Sequence, residues 1–251
     1  MTFIPAAQED LAGLLNREVW ERVRLLAPTP ARPVLSASLI LIDGSGAQPR
    51  VLMGKRHPGD RFMPDKFVFP GGCVAPDDKR MNVAGMLPEL VEMRLAKVGP
   101  AYSLPRALAL AAIRETFEET GLMIAERDCG EPENPPGSWR DFAAHGYPDL
   151  EPLHFIARAT TPPRLPRRYD TVFLAADSSA VTHKVEGMVG PDRELVETAW
   201  VTLKEAFDLE LAVITRVVLY ELEKRLAAGM SHFLPAPWYR VARQGWVRQE
   251  M

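Results

Sequence analysis

The sequence predicts an α+β fold, a mixed sheet packed between helices as an α/β/α sandwich. Strand-like and helical runs follow one another without a regular strand-helix alternation. The 251 residues are 47% hydrophobic and 25% charged, which is ordinary globular composition with ample material for a core. No internal repeat or long low-complexity tract breaks the chain, so a single domain over 1–251 is expected.

Charge and cysteine usage narrow the function classes. A net charge of -3 and a pI near 6.0 give no global attraction to nucleic acid or to a membrane surface. Any basic site must therefore be local. Two cysteines, Cys73 and Cys129, make no disulfide framework. The N-terminus lacks a basic start with an apolar run, and no apolar stretch approaches a membrane helix, so a cytoplasmic location is expected.

Leu11, Leu14, Leu15, Val19, Trp20, Val23 and Leu26 stand at helical spacing, predicting a helix over about 7–27 stopped by Pro28 and Pro30. It would pack on the fold or form a homodimer contact. "PVLSASLILID" and "RVLMGKR", separated by "GSGAQP", read as an antiparallel hairpin, and "KFVFPGG" as a third strand ending in a glycine pair. Residues 79–104 look like a helical insertion. Pro105 can open the next helix and Gly121 can close it in the left-handed conformation. Residues 126–138 read as a surface loop, followed by a short helix with Ser138 as its cap. "LHFIAR", "YDTVFLAA" and "ELVETAWVTL" read as strands. The C-terminal part, about 203–251, reads as helices at "LKEAFDL" and "ITRVVLYELEKRLAAG" and an irregular aromatic tail.

The helix from Pro105 to Thr120 carries the unusual chemistry. Glu115, Glu118 and Glu119, spaced i, i+3 and i+4, fall within about a 100° arc, while Leu110, Ile113 and Phe117 form an apolar stripe opposite. Like charges at that spacing repel. Arg114 can neutralise and orient Glu118, and a hard divalent cation would offset the rest. A run of acids is also what a solvated helix face looks like.

Arg114-Glu115-x-x-Glu118-Glu119-x-Gly121 resembles the second half of the Nudix box, G-x5-E-x7-R-E-U-x-E-E-x-G-U, where U is bulky and apolar. "FPGGCVAPDD" resembles its first half. There Asp78 stands in place of Glu, and positions 79–113 hold 35 residues where the family has 7, an insertion of 28. Thr116 replaces the bulky apolar residue. The resemblance implies a Nudix hydrolase that splits the diphosphate of a nucleoside diphosphate linked to another group. It implies Mg2+ or Mn2+ on Glu115, Glu118, Glu119 and the Gly72 backbone, with Arg114 orienting a glutamate. Gly71 and Gly72 would border the diphosphate, Asp78 is in doubt as a functional acid, and Glu194 and Glu197 are candidate general bases.

"LMGKRHPGDRFMPDKFVFPGG" resembles the signature of coenzyme A diphosphatases, L-L-T-x-R-[SA]-x3-R-x3-G-x3-F-P-G-G. Leu52, Arg56, Arg61 and Phe69 to Gly72 match; Gly54, His57 and Asp65 depart. This implies coenzyme A or an acyl thioester as substrate, with 3',5'-ADP and 4'-phosphopantetheine as products. Other nucleotides such as ADP-ribose, NADH or dinucleoside polyphosphates are the alternative, and a non-catalytic nucleotide sensor is a second. Arg56 and Arg61 would hold a phosphate, or be surface arginines on a turn. Arg167 and Arg168 would line the nucleotide end or be rim charges. Phe155, Trp200, Trp238 and Tyr239 are candidates for stacking on adenine, or core. His183 would belong to a lid or be solvated, and Cys73 is expected to be a buried structural thiol.

Overall fold

The computed structural model describes residues 11–26, 31–60, 63–242 and 245–251. Arg61, Pro28, Pro30 and the predicted start of the first helix lie outside these. Its main sheet grows from the predicted hairpin of β1 (Val34–Asp43) and β2 (Arg50–Arg56). These strands pair only beside their turn, Ile42 with Val51 and Asp43 with Arg50, and then diverge. Two short strands fill the opening: β3 (Phe67–Val68) pairs with β2, and β4 (Gly71–Cys73) with β1. The expected third strand is thus split, and its glycine pair forms a strand of its own.

Small ribbons follow, of β5 (Leu122–Met123), β6 (Ala125–Glu126) and β7 (Tyr147–Pro148). The long strands β8 (His154–Thr160) and β9 (Tyr169–Asp177) match the prediction. Then come β10 (His183–Lys184), which pairs with β5, and β11 (Leu195–Thr202). The tail, expected to be irregular, contains the hairpin β12 (Pro237–Ala242) and β13 (Gly245–Glu250). The sheet runs β11-β2-β1-β9-β8-β12-β13, with β1·β9 and β8·β12 parallel and the other pairs along this path antiparallel.

Alternation along the strands feeds two cores. Leu39, Leu41, Leu52, Val172 and Leu174 face the helix Leu104–Thr120, whereas Ile40, Ile42, Val51, Met53, Phe173 and Ala175 face the other side. That second side is covered by the C-terminal helix Val213–Ala227 and by the N-terminal helical run, Leu11–Leu15 and Glu21–Val23 joined by a π turn at Asn16–Trp20. Asn16 locks this run to β13, its side chain donating to the Trp246 carbonyl and accepting from the Trp246 N–H. This is the α/β/α sandwich the sequence predicts.

The inserted segment folds into a helix, Glu89–Ala96, whose Val91 and Leu95 are fully buried beside Leu108. Packed between it and the sheet, the helix Leu104–Thr120 is buried all round from Ala107 to Ile113 rather than along one stripe. Ser138 does not cap the short helix Arg140–Ala143; its backbone N–H and hydroxyl both donate to the Asp77 carboxylate. Among the described residues no helix is long and apolar enough to cross a membrane.

Candidate active site

The site forms where β4 crosses the last two turns of the helix Leu104–Thr120. Gly121 ends that helix at φ 76°, its N–H donating to the Phe117 carbonyl, and a Cβ there would meet the Val185 carbonyl at 1.9 Å. Glycine is required by both constraints. Thr116, at the apolar position of the box, is buried and donates its hydroxyl to the Ala112 carbonyl 2.8 Å away, so it presents no free polar group to the core.

Arg114 is the hub. Its Nε and Nη2 donate to the two Asp78 oxygens at 2.9 and 3.2 Å, its Nη1 to Glu118 at 2.8 Å, and Nη2 also to the Cys73 carbonyl at 2.9 Å. Glu115 lies 2.9 Å from Nη2. Burial works against the guanidinium charge, but Asp78, Glu115 and Glu118 outweigh it and its pKa rises. The sequence pairs Arg114 with one carboxylate; the structure gives it three.

Asp78 is fully buried and also accepts from the Trp139 Nε1–H at 3.0 Å and the Ala75 N–H at 2.7 Å. These contacts anchor Arg114, the chain entering the insertion and the Trp139 indole. It is a positioning residue, fitted despite the 35 residues that separate it from Arg114.

The three glutamates differ in environment. Glu119 is buried, with one oxygen accepting from the Gly71 N–H at 2.9 Å. Burial, and then the charge of Glu194, push its pKa well above the usual carboxylate range. Burial raises Glu118 too, with Arg114 opposing. Glu115 is pushed from 4.5 up to about 7, first by burial, with Arg114 opposing and the neighbouring charges of Glu118 and Glu194 adding to the rise. Its carboxyl rests on Gly72, where a Cβ would stand 2.4 Å from it. Gly72→Ala must therefore displace that carboxyl; a misplacement of this kind costs on the order of a hundredfold in kcat with little loss of folding. Steady-state kinetics beside circular dichroism of the variant check this.

Six carboxylates, Asp60, Asp78, Glu115, Glu118, Glu119 and Glu194, thus gather around two guanidiniums, Arg56 and Arg114. The imbalance and the hard oxygen donors fit a divalent cation. Among the described residues no three acidic, histidine or cysteine side chains already converge as a metal cage.

The raised Glu115 carboxyl makes a pH prediction. Between 4.5 and about 7 the native state holds a proton on Glu115 that the unfolded chain has released, so its contribution to stability falls as pH rises through that window. In a chelator, wild type should lose stability relative to Glu115→Gln as pH rises from about 5 to about 8. Added Mg2+ should shrink that loss; chemical denaturation at the two pH values measures it.

A cavity of about 610 Å3 opens from this cluster. Arg56, Gly71, Gly72, Cys73, Glu115 and Glu194 line its polar end; Leu15, Val19, Leu165, Phe173, Val213 and Ile214 line apolar walls. Arg56 is held between Asp60 at 2.8 Å and Glu194 at 2.9 Å. Of the two candidate bases, Glu194 reaches the cavity. Glu197 is exposed on β11 opposite Lys55 and does not line it.

Other expectations need correction. Arg168 turns away from the cavity, donating to the Thr161 and Ala31 carbonyls at 3.2 and 2.8 Å, and its neighbour Arg167 lines the cavity instead. Phe155 and Tyr239 are core residues. Trp238 lies under the Arg158 and Arg240 guanidiniums, and Trp200, 36% exposed on β11, does not line the cavity. Among the described residues the aromatics that do so are Phe69, Tyr169, Phe173 and Trp246, and the buried Trp246 Nε1 has no hydrogen-bond partner there. Cys73 is exposed at the polar end rather than buried. His183 is no lid; its ring packs 4.8 Å from that of His145, outside the cavity.

No family model matches the sequence. The human acyl-coenzyme A diphosphatase NUDT19 is 27% identical over 219 residues, spanning 67% of this chain. The alignment covers 56% of that relative, so the chain spans about half the length of the curated protein it matches. A solved NUDIX hydrolase from Alicyclobacillus acidocaldarius superposes with a TM-score of 0.59 at 26% identity, covering 80% of this chain and 93% of that one. The glycine strand, the Asp78-anchored arginine and the glutamate helix occupy one site on a sandwich shared with that hydrolase, and in both sequence and fold the chain is similar to Nudix hydrolases.

Proposed function

We propose that the chain hydrolyses the diphosphate of a nucleoside diphosphate linked to another group, with coenzyme A or an acyl-coenzyme A as the favoured substrate. The observation that carries this reading is the single cavity joining the carboxylate cluster to an apolar channel. The diphosphate belongs at the first, and a pantetheine or acyl arm at the second. The likeness to an acyl-coenzyme A diphosphatase supports the same assignment.

Glu115, Glu118 and Glu119 are the proposed holders of Mg2+, for which Mn2+ can substitute. When bound, the ion screens the phosphate oxygens and lowers the pKa of the attacking water. Arg114 holds Glu115 and Glu118 in register through its anchor on Asp78. The absence of a side chain on Gly72 lets the Glu115 carboxyl lie against β4 at the polar end of the cavity, where the diphosphate is proposed to bind. In this reading a substrate phosphate competes with Glu194 for Arg56, and the released Glu194 takes the proton of the attacking water.

The channel assignment has its own test. Ile214 sits in the first turn of the helix Val213–Ala227, where an acidic residue is tolerated. Ile214→Asp should lower kcat/KM for a long-chain acyl-coenzyme A by about tenfold or more relative to free coenzyme A, since a charge then faces the buried chain. Equal losses on both substrates would place the acyl arm elsewhere.

A further inference from the structure

A second charged cluster lies at the other end of the sheet. Arg94, from the inserted helix Glu89–Ala96, and Arg225, from the last turn of Val213–Ala227, are 8% and 5% exposed. Both point at one carbonyl: Arg94 Nη2 donates to Leu234 O at 2.7 Å and Arg225 Nη2 to the same oxygen at 3.3 Å and to Pro235 O at 2.6 Å. Among the described residues neither guanidinium forms an ion pair. Glu221, an acid whose charge reaches Arg225, is taken by Arg248 at 3.0 Å and by the Tyr239 hydroxyl.

Two histidines complete the cluster. His154, at the start of β8, and His232, in the turn after the helix, stack with ring centroids 4.1 Å apart and planes 3° apart. Arg94 Nη1 and His232 Nδ1 are both buried and have no hydrogen-bond partner among the described residues. A buried, half-satisfied guanidinium beside a second one is costly, and backbone carbonyls supply no counter-charge.

We propose that Arg94, Arg225 and His232 form an oxyanion site for a phosphate group, free or as the end of a phosphate monoester. Forked guanidiniums with spare N–H groups match phosphate oxygens, and His232 Nδ1 supplies a further contact. The site is separate from the cleft. His154 begins β8, whereas Ala159, at the far end of that strand, and Thr161 just beyond it line the catalytic cavity. It also gives the insertion a task, because Arg94 is the insertion's contribution and its helix packs against the glutamate helix. The inference does not depend on the substrate of the cleft.

The test is a titration of the full chain with inorganic phosphate, and separately with adenosine monophosphate, at constant ionic strength set by chloride. The imidazole resonances of His154 and His232 report on the site. Saturable shifts of both are expected in wild type, weakened by about tenfold or more in Arg94→Gln and unchanged in Arg56→Gln, whose lesion is in the cleft. Saturation by inorganic phosphate identifies a free oxyanion as sufficient. Saturation by the monophosphate alone identifies a phosphate monoester. Shifts that never saturate in wild type with either probe would overturn the proposal even if Arg94→Gln fails to fold. Equal affinity in a folded Arg94→Gln would overturn it too.

Discussion

Glu118→Gln is expected to fold like the parent and to lose at least ~100-fold in kcat, since even residues behind metal ligands cost about 10–100-fold when changed. The variant keeps an oxygen acceptor for Arg114 Nη1, so the hub at 2.8 Å survives while the negative charge goes. Of the three glutamates it has the most open side chain, 40% exposed, which makes its removal the mildest for folding. Glu119 is a poorer choice, because its carboxylate also holds the Gly71 N–H. Kinetics across a range of Mg2+ concentrations separate the outcomes. A loss rescued by excess cation marks weakened binding, a loss that persists at saturation marks the chemical step, and unchanged turnover removes Glu118 from the mechanism.

Asp78→Ala carries the largest expected effect on stability. The carboxylate is fully buried and accepts from Arg114, Trp139 and the Ala75 N–H. Removing one partner of a buried ion pair leaves the other charge unpaired and typically costs about 3–5 kcal/mol. Arg114 keeps Glu115 and Glu118 within reach, so the cost should fall toward the lower end of that range, and what folds should have little activity because the arginine is no longer anchored. Denaturant unfolding measures the first effect. Asp78→Glu restores the box residue and should recover activity only where the extra methylene is accommodated; a fully stable Asp78→Ala would contradict the anchoring role.

Much of this architecture was legible in the sequence, for local reasons. Alternation in "SLILID" and "TVFLAA" announces strands with two buried faces, and the glutamate helix is bounded by Pro105 and Gly121, whose conformational preferences act within a residue or two. The box residues Arg114, Glu115, Glu118 and Glu119 meet because helical spacing places them together. What escaped the sequence depends on distant pairing. β12 becomes a strand by joining β8, a partner about eighty residues earlier that "PWYRVA" does not name, and β13 then pairs with β12. Arg167 rather than Arg168 faces the cavity because one step along the chain exchanges sides. The apolar channel draws on Leu15, Leu165, Phe173 and Ile214, four segments with no shared local pattern.

The most direct test of the central claim is product analysis by liquid chromatography and mass spectrometry. Purified protein would be incubated with Mg2+ and a mixture of coenzyme A, acetyl-coenzyme A, NADH, ADP-ribose and diadenosine polyphosphates. The expected products are 3',5'-ADP and phosphopantetheine, absent in chelator and with Glu118→Gln. AMP from the other nucleotides alone would keep the diphosphatase and discard the coenzyme A assignment. No product from any of them, with Mn2+ as well as Mg2+, would contradict diphosphate hydrolysis by this chain.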